Sequence, residues 1–341
     1  FKQKTAYEIM PSLVGSEMCI RDRINIMIRN WFLGCFLICF SLGIHAQTFK
    51  PSTEVGVFMG TSYYIGDLND NHFELAQPAI GLIYRNNLNR RFTLKASAWT
   101  GEIRGNDKIN NVDTSKIIRN LHFRSPIMEL SGQVEFNFFE YETGNKRYPF
   151  SPFIFTGISF YKHNPQARRW NTDNPFDRDG YGSSNEWIEL QPLGTEGQNS
   201  VHYPGKDPYS LTQIAIPLGV GIKWSLGEKF SLVAEYGMRK TFTDYLDDVG
   251  GTYADPQYLN AEDQIAAQLS HQISYQGVEP PIPTNGSAPS NADWQAYWQQ
   301  LYPNGYNETQ RANENNWNDW YTFAGITLSF KIVKRPKVCQ F

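Results

Sequence analysis

With 341 residues, 40% of them hydrophobic and 15% aromatic, and a formal charge of −3, the chain can build a sizeable fold and has no basic excess that would favour nucleic acid. Past residue 46 there is no run of roughly 18 apolar residues, which excludes a transmembrane helix there but not a barrel of strands. Three of the four cysteines, Cys19, Cys35 and Cys39, fall before residue 47, so Cys339 stands alone and neither a disulfide framework nor a cysteine metal site is expected.

Residues 1–26 do not read as a targeting segment. The run from Met10 to Arg23 resembles translated sequencing adapter, and 1–26 is taken as a non-biological leader. Residues 27–46 read as a signal peptide. Arg29 precedes an uncharged stretch from Trp31 to Ile44, too short to span a bilayer, and cleavage is expected after Ala46. A lipoprotein cut at Cys35 has too little apolar sequence ahead of it. From Gln47 on, 26 basic residues face 31 acidic ones.

Eight segments then alternate with a period of two, as strands do. They lie at about 53–65, 78–86, 91–104, 124–141, 149–162, 211–226, 229–242 and 320–333. The sixth is the clearest. Its even positions, from Ile214 to Leu226, are large and apolar. Its odd positions, Gln213, Ala215, Pro217, Gly219, Gly221, Lys223 and Ser225, are small, polar or conformationally special. In the first segment Val55, Val57, Met59 and Tyr63 share a face, and Phe58 breaks the pattern. In the second, Ile80, Leu82 and Tyr84 oppose Ala79, Gly81 and Arg85. A soluble barrel would turn the greasy faces inward, a membrane barrel outward.

The connections favour the membrane. Tight polar turns follow the second, fourth and sixth segments. Longer stretches, about 66–77, 105–123, 163–210 and 243–319, follow the others. This alternation matches short periplasmic turns and long extracellular loops, and an even strand count leaves both termini periplasmic. The expectation is all-β: an eight-stranded antiparallel transmembrane β-barrel over 47–334, with a periplasmic tail at 335–341. Glu54, Lys95, Glu129, Glu135, Lys223, Glu235, Arg239 and Lys331 all lie on the small-residue face. They are expected to form a lumen charge network that plugs the barrel, with Glu135 or Glu235 as partner of Lys223. Pro217 removes a ladder hydrogen bond, so a local bulge or bend is expected there, and regular pairing through Pro217 would contradict it.

Tyr63, Tyr64, Trp99, Tyr141, Tyr148, Trp224, Trp320 and Tyr321 are placed at the membrane interfaces. In the last long loop, Asn260 is expected to cap a helix over 261–275 and Asn291 one over 292–301. A Pro-rich linker at Pro280, Pro281 and Pro283 separates them, and together they form a lid. Asp67, Asp70, Asp244, Asp247 and Asp248 are calcium candidates by oxygen chemistry alone; turn and cap roles compete with that reading. His72, His122, His163, His202 and His271 lack a nucleophile motif nearby, so neither catalysis nor a cofactor is expected.

Three segments carry a resemblance: Tyr-Tyr-Ile-Gly-Asp-Leu-Asn at 63–69, Asp-Tyr-Leu-Asp-Asp-Val-Gly-Gly-Thr-Tyr at 244–253, and Asn-Asp-Trp-Tyr-Thr-Phe-Ala-Gly-Ile-Thr-Leu at 318–328. Together they resemble the PorG-like outer-membrane β-barrel family of Bacteroidota. The last strand, Gly325 to Phe330, resembles the signal read by the outer-membrane assembly machinery. The family implies an accessory role in the type IX secretion system, with the barrel tethering a periplasmic ring lipoprotein and its partner to the outer membrane. The alternative is a surface receptor or adhesin acting through the long loops.

Overall fold

The computed structural model describes residues 49–109, 114–168, 186–272, 290–301, 310–312 and 318–332. The expected leader, signal peptide, Pro-rich linker and C-terminal tail lie outside the described residues. The barrel strands are β1 (Ser52–Ile65), β2 (Gln77–Asn87), β3 (Phe92–Asn106), β4 (His122–Asn137), β5 (Phe150–His163), β8 (Thr212–Ser225), β9 (Phe230–Thr241) and β10 (Trp320–Ile332). Each pairs antiparallel with its neighbours, and β1 pairs β10, so the sheet closes on itself. Two short strands, β6 (Gln166–Arg168) and β7 (Trp187–Glu189), extend β4 into a loop.

Closure leaves none of the eight barrel strands at an open edge, and period-two alternation then assigns their residues to the wall's inside or outside. Outside, Met59, Leu82, Met128 and Leu130 are each more than 60% exposed. Inside, Glu54, Arg85, Lys95, Glu129, Glu135, Lys223, Glu235 and Arg239 are buried. A soluble protein cannot tolerate that inversion, because water would face a continuous apolar belt while charges filled the core. A bilayer requires it. Among the described residues no helix is long and apolar enough to cross a membrane.

The odd positions of β8 are small because the lumen is crowded. A Cβ on Gly219 would lie 2.3 Å from Phe155 Cζ, and one on Gly221 would lie 2.5 Å from Phe153 Cζ. Gly60 and Gly325 leave room for Phe58 in the same way. Phe58 therefore does not disturb the strand. It points into the lumen and meets the Trp99 ring edge-on at 4.2 Å.

No bulge forms at Pro217. Pairing with β9 runs through Pro217 and Arg239 without a register change. On the other side the β5 ladder lapses opposite Ile216 and Pro217 and resumes in the same register at Ser159 and Ala215. The missing N–H thus opens a rung without inserting a residue.

Half of the eight expected interfacial aromatics turn away from lipid. Tyr64, Trp99, Tyr141 and Tyr321 are buried inside, and Tyr63 lies under Phe73 at 4.9 Å. Trp224 does stay exposed, and Phe138, Phe150 and Phe230 join it at the end of the barrel with the short turns. The sequence pattern missed this because side-chain parity, not nearness to a strand end, decides which way a ring points.

The opposite end carries the long connections. There α1 (Thr114–Arg119), α2 (Pro256–Glu262), α3 (Gln264–Ser270) and α4 (Asn291–Leu301) form with the intervening loops. The expected caps are displaced. Asp255 caps α2, and Asp263 ends α2 and caps α3, so Asn260 sits inside a helix. Ser290 rather than Asn291 precedes α4, exchanging hydrogen bonds with Asp293 in a capping box. Residues 273–275 of the expected first helix lie outside the described residues.

Candidate functional site

Two stacked polar layers occupy the barrel and its loop end. The lower one fills the lumen. Glu135 on β4 forms an ion pair with Lys223 Nζ from β8 at 2.6 Å and accepts Arg85 Nε from β2 at 3.1 Å, with Lys95 Nζ at 3.6 Å. Glu235 on β9 accepts Arg85 Nη2 at 3.0 Å and Lys95 Nζ at 3.2 Å. Towards the loop end, Glu129 binds Arg239 at 3.0 Å and the Tyr321 hydroxyl at 2.8 Å. Towards the turn end, Glu54 accepts from Asn87 at 2.8 Å, Thr143 at 2.7 Å and Ser231 at 3.1 Å.

The four carboxylates and four cations of this layer balance. Paired and hydrogen-bonded in this way, they offset a desolvation cost that none could bear alone. Aromatic rings complete the packing, with Lys95 Nζ 4.2 Å from the Phe155 ring centre and Lys223 Nζ 4.8 Å from that of Phe153. Lys331 sits at the rim and donates to the Thr143 carbonyl at 2.6 Å. Arg85 is the residue that sequence reasoning left out. Its alternation with Ala79 and Gly81 placed it inward, but nothing local marked it as the bridge between two glutamates.

The upper layer closes the loop end. Arg119 forms a two-pronged pair with Asp107 at 2.7 and 2.8 Å and also donates to the carbonyls of Asp67 and Arg311. Arg311 reaches Glu196 at 3.2 Å, Thr195 at 3.1 Å and the Asp248 carbonyl at 2.5 Å. Asp248 accepts from Tyr209 at 2.7 Å and from Thr195. Burial pushes the Asp248 carboxyl up to about 6, against the opposing pull of Arg311. The 244–253 segment runs through the middle of this layer, with Leu246, Asp247, Asp248 and Val249 all buried.

The calcium candidates do not converge. Asp70 pairs with Lys116 at 2.5 Å, and Asp248 faces Arg311. Asp247 accepts from Tyr64, and the charge of Asp67 acts on both Asp244 and Asp247. Among the described residues no group of three or more His, Cys, Asp or Glu is arranged to hold a metal ion. The histidines have other contacts. His72 meets the Tyr63 and Tyr236 hydroxyls, His122 accepts the Arg168 N–H, and His202 stacks on Tyr258. His271 is buried among Tyr253, Trp294 and Trp298, and burial pushes its imidazole down to about 3.

Such an arrangement blocks passage along the barrel axis and holds a preformed loop surface. It defines an eight-stranded outer-membrane β-barrel with a filled lumen. The model of a domain of unknown function, DUF6089, matches residues 29–179, under half of the chain. No curated protein matches. Among solved structures, the chain is similar to the attachment invasion locus protein Ail of Yersinia pestis, solved in complex with the heparin analogue sucrose octasulfate. That match has 8% identity, a TM-score of 0.35, and covers 83% of this chain and 100% of that one. Neisserial surface protein A gives 8% identity and a TM-score of 0.35 over the same shares. The N-terminal barrel domain of Pseudomonas aeruginosa OprF gives 10% and 0.29, again over 83% and 100%. At these scores the likenesses add nothing to the assignment, which rests on register and on the inverted surface.

Proposed function

We propose that this barrel is non-enzymatic and serves as an anchor. In this reading it is an accessory component of the type IX secretion system that tethers a periplasmic ring lipoprotein and its partner, as the PorG-like resemblance implies. The filled lumen carries the reading, since a barrel blocked by Arg85, Glu135 and their partners contributes a fixed surface and no conduit. The long loops then face outward and both termini lie in the periplasm.

The turn end supports the docking role. Gly144 N donates to Ser225 Oγ at 2.9 Å, tying the β4–β5 turn to the β8–β9 turn. Lys146, Arg147, Glu228 and Lys229 stand exposed on that braced surface. Cross-linking in intact outer membranes followed by capture of the barrel tests the proposal. A periplasmic ring component in the captured material, and loss of cargo secretion on deletion, are expected. Capture without a ring component, together with intact secretion, overturns it.

A further inference from the structure

The outer wall is not evenly convex. Across β2, β3, β4 and β5 the outward residues include the row Leu82, Ala98, Leu130 and Phe160, and below it Tyr84, Ala96, Gly132 and Ile158. The small side chains of Ala96, Ala98 and Gly132 lie between bulky ones, and a Cβ built on Gly132 would meet nothing within 4 Å. Over Ala98 and Thr100 lies an apolar groove of about 670 Å³, within the usual size of ligand pockets, bordered by Ile80, Leu82, Met128, Leu130 and Phe160. At its loop end the lining changes from apolar residues to Lys162.

Directly above, on the same outward face, the register pairs Arg104 with Arg124 and Arg124 with Gln166. Arg124 Cζ lies 4.1 Å from the Trp187 ring centre, and Arg168 Cζ lies 4.7 Å from it. One indole thus holds two guanidinium groups together. Glu102 neutralises Arg104 at 2.5 Å, and Glu189 is engaged by Asn164 at 2.8 Å. Neither Arg124 nor Lys162 has an acidic ion-pair partner among the described residues. With no acidic ion-pair partner among the described residues, Lys162 in the lining and Arg124 further towards the loops give the apolar trough a cationic head.

We infer that this surface binds a phosphate-bearing lipid of the leaflet at the loop end, with one acyl chain in the groove over Ala98 and its phosphate at Arg124 and Lys162. Guanidinium and ammonium donors recognise phosphate through charge-assisted hydrogen bonds, and Lys162 can snorkel from the apolar face to the headgroup level. The geometry favours a lipid over free phosphate, because Lys162 lines the loop end of the groove and its floor at Ala98 offers a phosphate nothing.

The test uses the full chain refolded in a neutral detergent and titrated with diphosphoryl lipid A, with binding read by native mass spectrometry. Phosphatidylcholine and inorganic phosphate serve as separate arms. Saturable binding of lipid A, with neither control matching it, is expected. Lys162→Gln should weaken it about fivefold, and adding Arg124→Gln should weaken it a further fivefold or so. Ala98→Phe, which fills the groove and keeps every cation, should weaken it at least as much. Lys162 is exposed and Ala98 faces lipid, so both single variants should fold, which heat-modifiable gel migration checks. Equal binding of phosphatidylcholine, equal binding of inorganic phosphate, or unchanged affinity in both single variants overturns the inference. Because binding is read in detergent, the result does not depend on whether the turn end docks a secretion partner.

Discussion

Lys223 Nζ and Glu135 Oε2 meet 2.6 Å apart across the lumen, joining β8 to β4 through the barrel's interior. These strands are not neighbours in the sheet, so the contact is a strut. Glu135 also serves Arg85 and Lys95, which makes its removal the most damaging single change in the lumen. Glu135→Ala leaves three buried cations short of a partner and should cost about 3–5 kcal/mol. Replacing Glu135 and Lys223 together by Leu should cost less than Glu135→Ala alone, since fewer charges are left unpaired. Urea titration of folded barrel, followed by gel migration in lipid vesicles, measures both.

Gly219 makes a second expectation. A side chain there would run into Phe155 and lie 2.4 Å from the Tyr236 carbonyl. Gly219→Val should therefore destabilise the barrel by about 1–3 kcal/mol or more, and the yield of heat-modifiable protein should fall. Gly227 lies in the β8–β9 turn with nothing near its Cβ but a φ of 137°. Gly227→Ala should show a smaller effect, from backbone strain alone.

The Tyr64 hydroxyl lies 2.5 Å from Asp247 and 2.9 Å from Asp319, yet it has only one proton to donate. The second contact needs a protonated carboxyl. Burial, reinforced by neighbouring carboxylates, holds Asp247 and Asp319 well above the usual range and pushes Asp244 up to about 7. A folded-state value raised above the unfolded one stabilises most at low pH, and that gain is lost as pH rises through the folded value. Amide protection factors, corrected for the intrinsic pH dependence of exchange, should accordingly be higher in the loop layer at pH 5 than at pH 9, with those of the barrel strands unchanged. Asp247→Asn should flatten the dependence, and a loop layer more protected at pH 9 would contradict this account.

Arg311 ties three separated pieces of chain together through Glu196, Thr195 and Asp248. Arg311→Gln keeps some donors but removes the charge beside two buried carboxylates. Faster proteolysis of the loops at 186–211 and 242–272, with an intact protease-resistant barrel, is the expected outcome. Limited digestion followed by mass spectrometry reads it directly.

The sequence by itself determined the wall. Strand number, the alternation of turns and loops, and the inward face of each strand follow from a period-two pattern, because backbone geometry forces successive side chains to opposite sides. That pattern put Glu54, Lys95, Glu129, Glu135, Lys223, Glu235 and Arg239 on one face. It did not show which would meet, since partners such as Arg85 and Glu235 lie 150 residues apart in the chain and only closure brings them within 3.0 Å. The loop layer was less legible still. Asp107, Arg119, Glu196, Arg311 and Asp319 sit in segments with no periodicity, and the 244–253 stretch offers both turn residues and ligand oxygens in sequence, whereas the fold buries Asp247 and Asp248. The lipid-facing groove has the same origin: Ala98 and Thr100 are small residues in one strand, and only the register that sets them between Ile80, Leu82, Met128 and Leu130, with Lys162 at one end, gives them a shape.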